Sequence, residues 1–408
     1  MTKSIKLSKA VRYSEARIPA KDLTLDNFIS IDNILPNKEG VRPASNLPPG
    51  SSTLPKYRPN NILVGNIRPY LKKIWLANRA GGCSADVLNF EVNENFYPPF
   101  VYYAMFRDDF FDHMMKGAKG TKMPRGDKGH ILEFLIPDFD RSYQEKVASV
   151  LLTLDQKINV NNQIIKKLES IQKLLFEYWF IQFDFRGVNG KPYASSGGQL
   201  VWNQTLKRNI PAGWIDGSLS DLGSMQGGST PSTDIAANFD GTGFPWITPK
   251  DLSMNEAKKF VSCGEVSLSK QGLKAASLKT LPKGTVLLSS RAPIGYMAIA
   301  SNALTTNQGF KSFVPDKGYS TPYLYYSIKH SIPTILNYAS GSTFKEISGS
   351  VLKEIKICLP PKNVVEEFSN LVTPYFNLQE KLESENYELE LYRNWMLPLL
   401  MNHQISVQ

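Results

Sequence analysis

The longest regular pattern of apolar positions covers residues 142–180. Its apolar residues recur at alternating spacings of four and three, and neither proline nor glycine interrupts them. This pattern is typical of a long helix with a narrow apolar seam that packs on another helix. At 1.5 Å per residue, such a helix would be roughly 55–60 Å long. Helices in globular proteins average only about 11–12 residues.

The seam of this first predicted helix includes one asparagine among its central positions. The seam residues are Val147, Leu151, Leu154, Ile158, Asn161, Ile165, Leu168, Gln172, Leu175 and Trp179. A polar side chain at a seam position costs stability but fixes the register of two helices, because a slip would set its amide against an apolar layer. Asn161 is therefore a candidate register residue.

A second stretch near the C-terminus repeats the spacing, with a break at Glu385 and a bend expected at Pro374. Its predicted seam is Phe368, Leu371, Tyr375, Leu378, Leu382, Glu385, Leu389, Tyr392, Met396 and Leu399. Two interpretations remain open. Each helix packs on its own globular domain, or the two helices pair with each other. In the second case Leu154, Asn161, Leu168, Leu382 and Leu389 are the pairing residues.

One stretch of sequence precedes each predicted long helix. The two stretches contain similar motifs in the same order. The sequence Pro-Phe-Val-Tyr-Tyr-Ala-Met at residues 99–105 matches Pro-Tyr-Leu-Tyr-Tyr-Ser-Ile at residues 322–328. Residues 100–111 are predicted to form a single helix. The repeat indicates a tandem duplication. We predict a first domain at 1–140, a helical region at 141–186, a linker rich in glycine, serine, asparagine and proline at 187–214, a second domain at 215–360 and a second helical region at 361–408.

Composition narrows the class of protein. The chain of 408 residues has room for two or three domains. Its 42% hydrophobic and 21% charged residues are ordinary for a soluble protein. No apolar run is long enough to span a bilayer, the first ten residues lack a signal-peptide core, and the three cysteines lie far apart without metal or disulfide spacing. We expect a cytoplasmic protein without a metal site.

Two motifs suggest enzymes and are rejected. Tyr-Pro-Pro-Phe at residues 97–100 resembles the Asn/Asp-Pro-Pro-Phe/Tyr motif of amino-methyltransferases, but Tyr97 cannot accept the target amine's hydrogen in the same way. We interpret it as a turn leading into a helix. Asp138 and Asp155 fit a nuclease pattern formally, but Asp155 is predicted on the solvated side of the long helix instead of on a strand. The sequence favours a binding protein.

The net charge of +10 and the pI near 9.2 favour a polyanionic ligand. In the first domain, residues 116–128 combine glycines with lysines and arginine, a composition suited to phosphate contacts, and arginine also pairs with guanine. The alternatives are a solvated basic loop and ordinary turn chemistry. The candidate DNA-binding residues are Arg68, Lys119, Thr121, Lys122 and Arg125 in the first domain, and Thr248, Lys250, Arg291, Gln308, Lys311, Thr343 and Lys345 in the second.

Several motifs together resemble the specificity subunits of type I restriction–modification enzymes. They are Gly-Gly-Ser-Thr-Pro-Ser at 227–232, Trp-Ile-Thr-Pro-Lys-Asp at 246–251, Arg-Ala-Pro-Ile-Gly at 291–295, Thr-Asn-Gln-Gly-Phe at 306–310, Gly-Ser-Thr-Phe-Lys-Glu-Ile-Ser at 341–348, Leu-Pro-Pro at 359–361, Leu-Leu-Phe-Glu-Tyr-Trp-Phe at 174–180 and Ile-Pro-Ala-Gly-Trp at 210–214. The resemblance covers essentially the whole chain. The first domain is more divergent and shares mainly Arg68 and the loop at 120–125.

The resemblance implies an α+β fold. Two mixed target-recognition domains are separated by two long helices that pack as an antiparallel coiled coil, in a pseudo-two-fold tandem duplication. Each domain then binds one half of a bipartite DNA site, and the helices set the gap. Such a subunit is non-catalytic and binds no cofactor directly. Two methyltransferase subunits use S-adenosylmethionine, and restriction subunits use ATP and Mg.

Other classes remain open at this point. The same reader could serve another defence system. A standalone methyltransferase or nuclease with degenerate motifs would transfer methyl groups or cut DNA without partners. A coiled-coil adaptor that binds only protein would show no salt-dependent affinity for DNA. The outward stripe of the first helix (Val150, Ile164, Ile171, Tyr178) either receives partner subunits or packs on the recognition domains.

Overall fold

A computed structural model describes residues 3–253, 258–291, 293–338 and 346–407. The chain divides into two compact units. The first unit contains Met1–Asn159 together with Tyr387–Gln408, and the second contains Val160–Asn386. Each unit therefore combines one globular domain with segments of two long helices. Among the described residues, no helix is both long and apolar enough to cross a membrane.

The first unit is built from short strands, three short α-helices and parts of two long helices. Its strands are β1 Ser4–Lys6, β2 Val11–Tyr13, β3 Arg17–Pro19, β4 Phe28–Ile29, β5 Thr53–Tyr57, β6 Ile62–Gly65, β7 Ile74–Leu76, β8 Gly81–Cys83, β9 Val87–Val92 and β10 Leu135–Pro137. Its helices are α1 Pro98–Phe106, α2 Asp108–Lys116 and α3 Lys128–Leu132, followed by the long helix α4 Arg141–Phe176. The strands form two four-stranded sheets, ordered β2-β9-β6-β7 and β3-β5-β8-β4, and the pair β1-β10.

The second unit repeats this plan with more strands. They are β11 Leu200–Asn203, β12 Arg208–Pro211, β13 Ile215–Ser218, β14 Ser224–Gly227, β15 Phe239–Ile247, β16 Phe260–Val261, β17 Val266–Leu268, β18 Val286–Leu288, β19 Met297–Ala300, β20 Thr305–Thr306, β21 Lys311–Val314 and β22 Lys356–Leu359. The helices are α5 Pro249–Ser253, α6 Lys270–Ala275, α7 Thr321–Asn337, α8 Gly349–Glu354 and α9 Lys362–Met401. The main sheets are ordered β14-β21-β18-β19-β16 and β17-β15-β20.

Matching antiparallel strand pairs open and close the two domains. Strand β1 pairs with β10, with Ile5 opposite Ile136, and β13 pairs with β22, with Gly217 opposite Ile357. In each case the closing strand leads directly into a long helix. The tandem duplication predicted from the sequence is thus visible in the fold.

The predicted single helix at residues 100–111 is wrong. Helix α1 ends at Phe106, Arg107 is extended with φ −64° and ψ 149°, and α2 begins at Asp108. Asp108 and Asp109 then occupy the first turn of α2, where carboxylates are favoured by the helix dipole. The turn predicted at Tyr97 is confirmed, because α1 begins at Pro98 with Tyr97 extended before it.

The stretch predicted as a linker at 187–214 is folded into the second unit. It contains the hairpin β11–β12, in which Leu200 lies opposite Pro211. Ile210 and Trp214 are buried in the main hydrophobic core of that unit. The Trp214 ring lies 5.1 Å from that of Phe185, between ring centroids. Aromatic packing therefore orders a segment whose small and polar residues suggested flexibility.

In the second unit, α4 and α9 pack against each other in antiparallel orientation. Ile165 and Leu168 of α4 form an apolar cluster with Leu382, and Tyr375 packs on it. Asn161 bonds to Asn386. The Gln172 Nε2 donates to Gln379 Oε1 at 3.2 Å. Residue numbers therefore increase along α4 as those of the contacted residues decrease along α9, which makes the pair antiparallel.

The same two helices also meet within the first unit. Arg393 of α9 pairs with Asp155 of α4 at 2.5 Å between Nη1 and Oδ1. The Tyr143 hydroxyl donates to the carbonyl of Ile405 at 3.3 Å. Leu397 and Leu400 are buried in the core that contains Val147, Ala148 and Leu151. Leu154 and Leu389, both predicted pairing residues, are half-buried.

The predicted seam of α9 is partly wrong. Leu371 and Leu378 are each 42% exposed and Tyr392 is 56% exposed. Val372, Phe376, Gln379 and Asn386 are buried instead. Because polar residues occupy this seam, the apolar pattern pointed to the neighbouring stripe. The helix is unbroken from Lys362 to Met401, including Pro374.

Candidate nucleic-acid interface

In the first unit, the basic loop at residues 116–128 connects α2 and α3 and lies against Arg68. The backbone groups of Lys119 and Arg125 exchange two hydrogen bonds of 2.9 Å, which close the loop on itself. The Arg68 N–H donates to the carbonyl of Pro124 at 2.8 Å. Arg68 is exposed and has a left-handed backbone with φ 51°. The structure therefore brings together the residues that the sequence selected in this domain.

Two histidines hold the base of the basic loop. The rings of His113 and His130 stack with centroids 4.1 Å apart. Each Nε2 lies within hydrogen-bond distance of the other residue's carbonyl, at 2.8 and 3.1 Å. A Cβ on Gly117 would lie 2.2 Å from the His130 ring, so glycine is needed where the loop leaves α2. Sequence reasoning did not select these histidines.

The cations of the basic loop differ in their partners. Lys119 pairs with Asp127 and Arg125 with Asp86, each at 3.1 Å. The backbone N–H of His130, followed by Lys119, lowers the pKa of Asp127 below its ordinary value. Thr121 and Lys122 are exposed at the tip of the loop. The surface thus offers both paired and projecting cations to a polyanion.

In the second unit, hydrogen bonds bring the sequence motifs together. We call this site the loop cluster, made of residues 227–231, 246–251, 289–291, 306–310 and 346–348. The Asn307 N–H donates to the carbonyl of Ile247 at 3.0 Å, and the Ser229 N–H donates to that of Thr306 at 3.1 Å. The Trp246 Nε1 donates to the carbonyl of Ser229 at 3.1 Å. Three motifs distant in sequence are therefore joined directly.

The remaining motifs join the loop cluster through Ser290. Its N–H donates to the carbonyl of Gly309 at 2.7 Å, and its own carbonyl accepts from the Ile347 N–H at 2.9 Å. Arg291 follows and is exposed, with its Nε 3.2 Å from Glu346 Oε1. Thr343 and Lys345, which the sequence also selected, lie outside the described residues.

Gln308 projects from the loop cluster with its amide oriented. It is exposed, and the Thr230 hydroxyl donates to its Oε1. The nitrogen end of the amide is then the end that can donate to a base edge. A Cβ on Gly228 would lie 2.0 Å from the carbonyl oxygen of Asn307. Only glycine allows these two loops to approach so closely.

Three other candidate residues of this domain are less available to a ligand than Gln308. They are Thr248, Lys250 and Lys311. The N–H and hydroxyl of Thr248 both donate to Asp251 Oδ2, at 2.7 and 2.6 Å, which secures the start of α5. Lys250 is exposed and pairs with Glu265 at 2.6 Å. Lys311 is half-buried on β21. The Thr248 hydroxyl therefore already has a structural partner.

The two aspartates of the rejected nuclease pattern have separate partners. Asp138 pairs with Lys3 at 3.0 Å. Asp155 accepts from the Tyr103 hydroxyl at 2.6 Å and pairs with Arg393. The prediction that Asp155 lies on a solvated face is wrong, because it is half-buried in these contacts. Among the described residues, no group of three histidine, cysteine or acidic side chains is placed to hold a metal ion.

Sequence reasoning missed the residues that orient and pair with the selected ones. They are Asp86, Asp127, Thr230, Glu265 and Glu346. Asp127 alone carried a local signal, since an aspartate three residues before His130 caps the start of α3 and accepts from its N–H at 2.9 Å. The others contact residues distant in sequence, which no local pattern reveals.

Comparison with known proteins shows which proteins this chain resembles. A family model described as "Type I restriction modification DNA specificity domain" matches residues 211–391. The type I restriction enzyme MjaIX specificity subunit of Methanocaldococcus jannaschii is 41% identical over 206 residues, which cover 49% of this chain and 47% of that one. This chain therefore spans about half the length of that relative.

Two further similarities extend over more of the chain. The type I restriction enzyme HindI specificity subunit of Haemophilus influenzae is 27% identical over 366 residues, covering 76% of this chain and 77% of that one. The crystal structure of the type I restriction–modification S subunit from M. genitalium has the same fold. Its TM-score is 0.56 at 14% identity, over 98% of this chain and 96% of that one. The chain is thus similar to type I restriction enzyme specificity subunits, and residues 211–391 match the model of their DNA specificity domain.

Proposed function

We propose that this chain is the DNA sequence-specificity subunit of a type I restriction–modification complex and recognises a bipartite double-stranded site, with one domain for each half. The observation that carries the proposal is the loop cluster of the second unit. There, backbone hydrogen bonds join the segments that carry Arg291, Lys250 and Gln308, and all three residues are exposed. Arginine and glutamine are suited to base edges, and lysine to phosphates.

The basic loop supports the same role for the first domain. Lys122 and Thr121 project from its tip, and Arg68 lies at its side. Its charge is higher than that of the loop cluster and its side chains are different. Each domain therefore reads a different base sequence, and the complete site is asymmetric.

The paired helices serve as the spacer between half-sites, and their outer face receives partner proteins. The exposed apolar side chains of α4 in the second unit, and of the π-helical turn Glu177–Ile181 that follows it, support the second role. They are Val160, Ile164, Ile171, Leu174 and Tyr178. Two methyltransferase subunits and, through them, the restriction subunits are the proposed occupants. Val150, which the sequence also placed on this stripe, is half-buried.

The chain itself is proposed to be non-catalytic and to bind no cofactor. Its candidate site residues are recognition groups, and the two aspartates of the nuclease-like pattern, Asp138 and Asp155, are held in ion pairs with Lys3 and Arg393. S-adenosylmethionine, ATP and Mg are used by the partner subunits. Purified chain is expected neither to methylate nor to cut DNA.

Genome-wide mapping of methylated bases tests the proposal. Cells with and without this chain are compared, and a single bipartite motif is expected to be methylated only when the chain is present. If cells that lack this chain methylate the same motifs as cells that have it, the proposal is contradicted. Methylation or cleavage by the purified chain alone would instead favour a standalone enzyme.

A further inference from the structure

A lysine is buried where the second domain meets the paired helices. Lys259 directly precedes β16 and is only 3% exposed. Its Nζ lies 2.5 Å from Glu169 Oε2 of α4 and 3.1 Å from the Tyr326 hydroxyl of α7. It also donates to Gln172 Oε1 of α4. One ammonium group therefore contacts two different elements.

Aromatic rings enclose the same ammonium group. The Lys259 Nζ lies 4.3 Å from the ring centroid of Phe376 on α9, 5.0 Å from that of Tyr326 and 5.2 Å from that of Tyr325. Cations over aromatic faces are attracted most strongly when water is excluded. The rings thus contribute to the site and also keep water from it.

The backbone at Lys259 is held by the other long helix. The N–H groups of Lys259 and Phe260 donate to Oε1 and Oε2 of Glu383 at 3.1 and 2.9 Å. Glu383 lies on α9 and is buried, and Gln379 Nε2 donates to its Oε1 at 2.8 Å. Both oxygens of one carboxylate are therefore directed at the domain's backbone.

These contacts form one network that crosses the helix pair. Gln172 of α4 accepts from Lys259 and donates to Gln379 of α9, which in turn donates to Glu383. Strand β16, helix α7 and both long helices are joined through buried polar groups. A shift of the domain along the helices would leave a buried charge without its partner, which is strongly destabilising.

We propose that Lys259 is a positioning residue that fixes the second domain on the paired helices, and that it thereby restricts the number of base pairs accepted between the two half-sites. This inference rests on the proposed function. Lys259 lies in a network distinct from the loop cluster and acts on the spacing of the site. Its loss therefore relaxes the gap and leaves the half-site sequences unchanged.

The first unit contains a counterpart built from different residues. Tyr103 of α1 donates to Asp155 of α4, which pairs with Arg393 of α9. The Arg393 guanidinium lies 4.7 Å from the ring centroid of Phe106. Tyr103 and Tyr326 occupy matching positions in the duplicated motif at 99–105 and 322–328. Each domain thus has its own buried polar attachment to the helices.

The test replaces Lys259 by methionine in the full-length chain in its own host, followed by genome-wide methylation mapping. Wild type is expected to methylate pairs of half-sites at one gap length. Lys259→Met is expected to methylate the same half-sites also at gaps one or two base pairs longer or shorter, with discrimination between gaps reduced about tenfold. Gap discrimination as strict as in wild type would overturn the inference.

Lys283→Met is the matched control. Lys283 belongs to the same domain and pairs with Glu380 of α9 at 2.8 Å, but its side chain is 64% exposed. Exposed ion pairs contribute little to stability. The Lys283→Met variant is therefore expected to methylate half-sites at the same gap length as wild type. A relaxed gap in this control would show that any lost tether has the same effect, and would overturn the special role of Lys259.

A second measurement covers the case in which Lys259→Met does not fold. Hydrogen exchange of the Phe260 amide is compared between wild type and Glu383→Gln. The amide is expected to be protected in wild type and to exchange faster in the variant, together with relaxed gap selection. A Phe260 amide that exchanges freely in wild type would overturn the inference. Absence of any bipartite motif in wild type would instead defeat the proposed function.

Discussion

The side-chain amides of Asn161 and Asn386 face each other across the helix pair, with 2.9 Å between Nδ2 of Asn161 and Oδ1 of Asn386. Both residues are buried. Glu385 accepts a second bond from Asn161 at 2.9 Å, and Asn386 donates to Asn162 at 2.8 Å. The break in the apolar pattern at Glu385 is thus part of a polar layer that defines the register of the helices.

Replacing one asparagine of this layer is expected to lower the free energy of unfolding more than replacing both. Asn161→Leu leaves the buried Asn386 acceptor without its donor, at a cost of about 1–3 kcal/mol. The double variant with Asn386→Leu is expected to recover most of that loss. Urea denaturation of the wild type, both single variants and the double variant measures the coupling. Strictly additive effects would contradict a shared layer.

Half-site recognition is expected to separate between the domains. Arg125→Ala should weaken recognition of one half-site only, and Gln308→Ala that of the other, each by about 1–3 kcal/mol if the lost contact is a base contact. Methylation mapping of both variants, scored position by position along the motif, measures the effect. Equal damage to both halves by either variant would disprove the assignment of one domain to each half.

The close approach of two loops at Gly228 predicts a sensitive position. In Gly228→Ala the new Cβ would lie 2.0 Å from the Asn307 carbonyl oxygen, so the loops must separate and displace Gln308. Recognition by the second domain is expected to fall about tenfold or more, while the first half-site is still read. Gly241→Ala is the control, because its Cβ meets nothing within 4 Å. Equal behaviour of the two variants would refute the tight contact.

Shortening the helix pair is expected to change the gap alone. Deletion of one heptad from α4 and the facing heptad from α9 shortens the pair by about 10 Å, or about three base pairs of DNA. Methylation mapping should then show the same half-sites at a shorter gap. Altered half-site sequences with an unchanged gap would refute the spacer role of the helices.

The buried lysine also predicts a pH dependence of stability. Burial lowers the pKa of Lys259 from 10.5 to about 8. Between these two values the unfolded chain binds more protons than the folded one, so the contribution of Lys259 to stability rises with pH. The charged and titratable groups that face it are Glu169, Lys329, Glu383, Tyr325 and Tyr326.

Comparison with Lys259→Met isolates this contribution, because the facing groups are present in both proteins. From pH 8 to pH 10 the wild type is expected to gain about 1–2 kcal/mol relative to the variant. Thermal denaturation at the two values measures the difference. A stability difference that stays constant with pH would show that the lysine titrates as an exposed one does.

The first long helix was predictable because its seam is mostly apolar. Helix α4 runs from Arg141 to Phe176, followed by a π-helical turn at Glu177–Ile181, close to the predicted 142–180. In α9 the seam carries Gln379 and Asn386, whose partners Gln172 and Asn161 lie on the other helix. Local apolarity cannot reveal such pairs, so the apolar pattern favours the stripe through Leu371 and Leu378.

In the candidate sites too, the sequence predicts some residues, while their contacts are visible only in the structure. Motifs selected Gln308, Arg291 and Arg125, and the structure places them on exposed loops. Their carboxylate and hydroxyl partners come from distant parts of the chain, as in the pair of Arg125 with Asp86. Sequence patterns therefore identify which residues are chemically suited to a site, and three-dimensional contacts decide how many remain available.

The different attachments of the two domains limit how the protein can be recombined. Tyr103 is held by Asp155 and Arg393, whereas its counterpart Tyr326 shares its helix contacts with Lys259. In the second position the tyrosine hydroxyl meets Gln172 instead of Asp155, and Glu169 pairs with Lys259, so a domain moved there from the first position would lack these partners. We therefore expect domains to be exchanged most easily between the same positions of related chains. The helical segment that a domain contacts should be transferred with it.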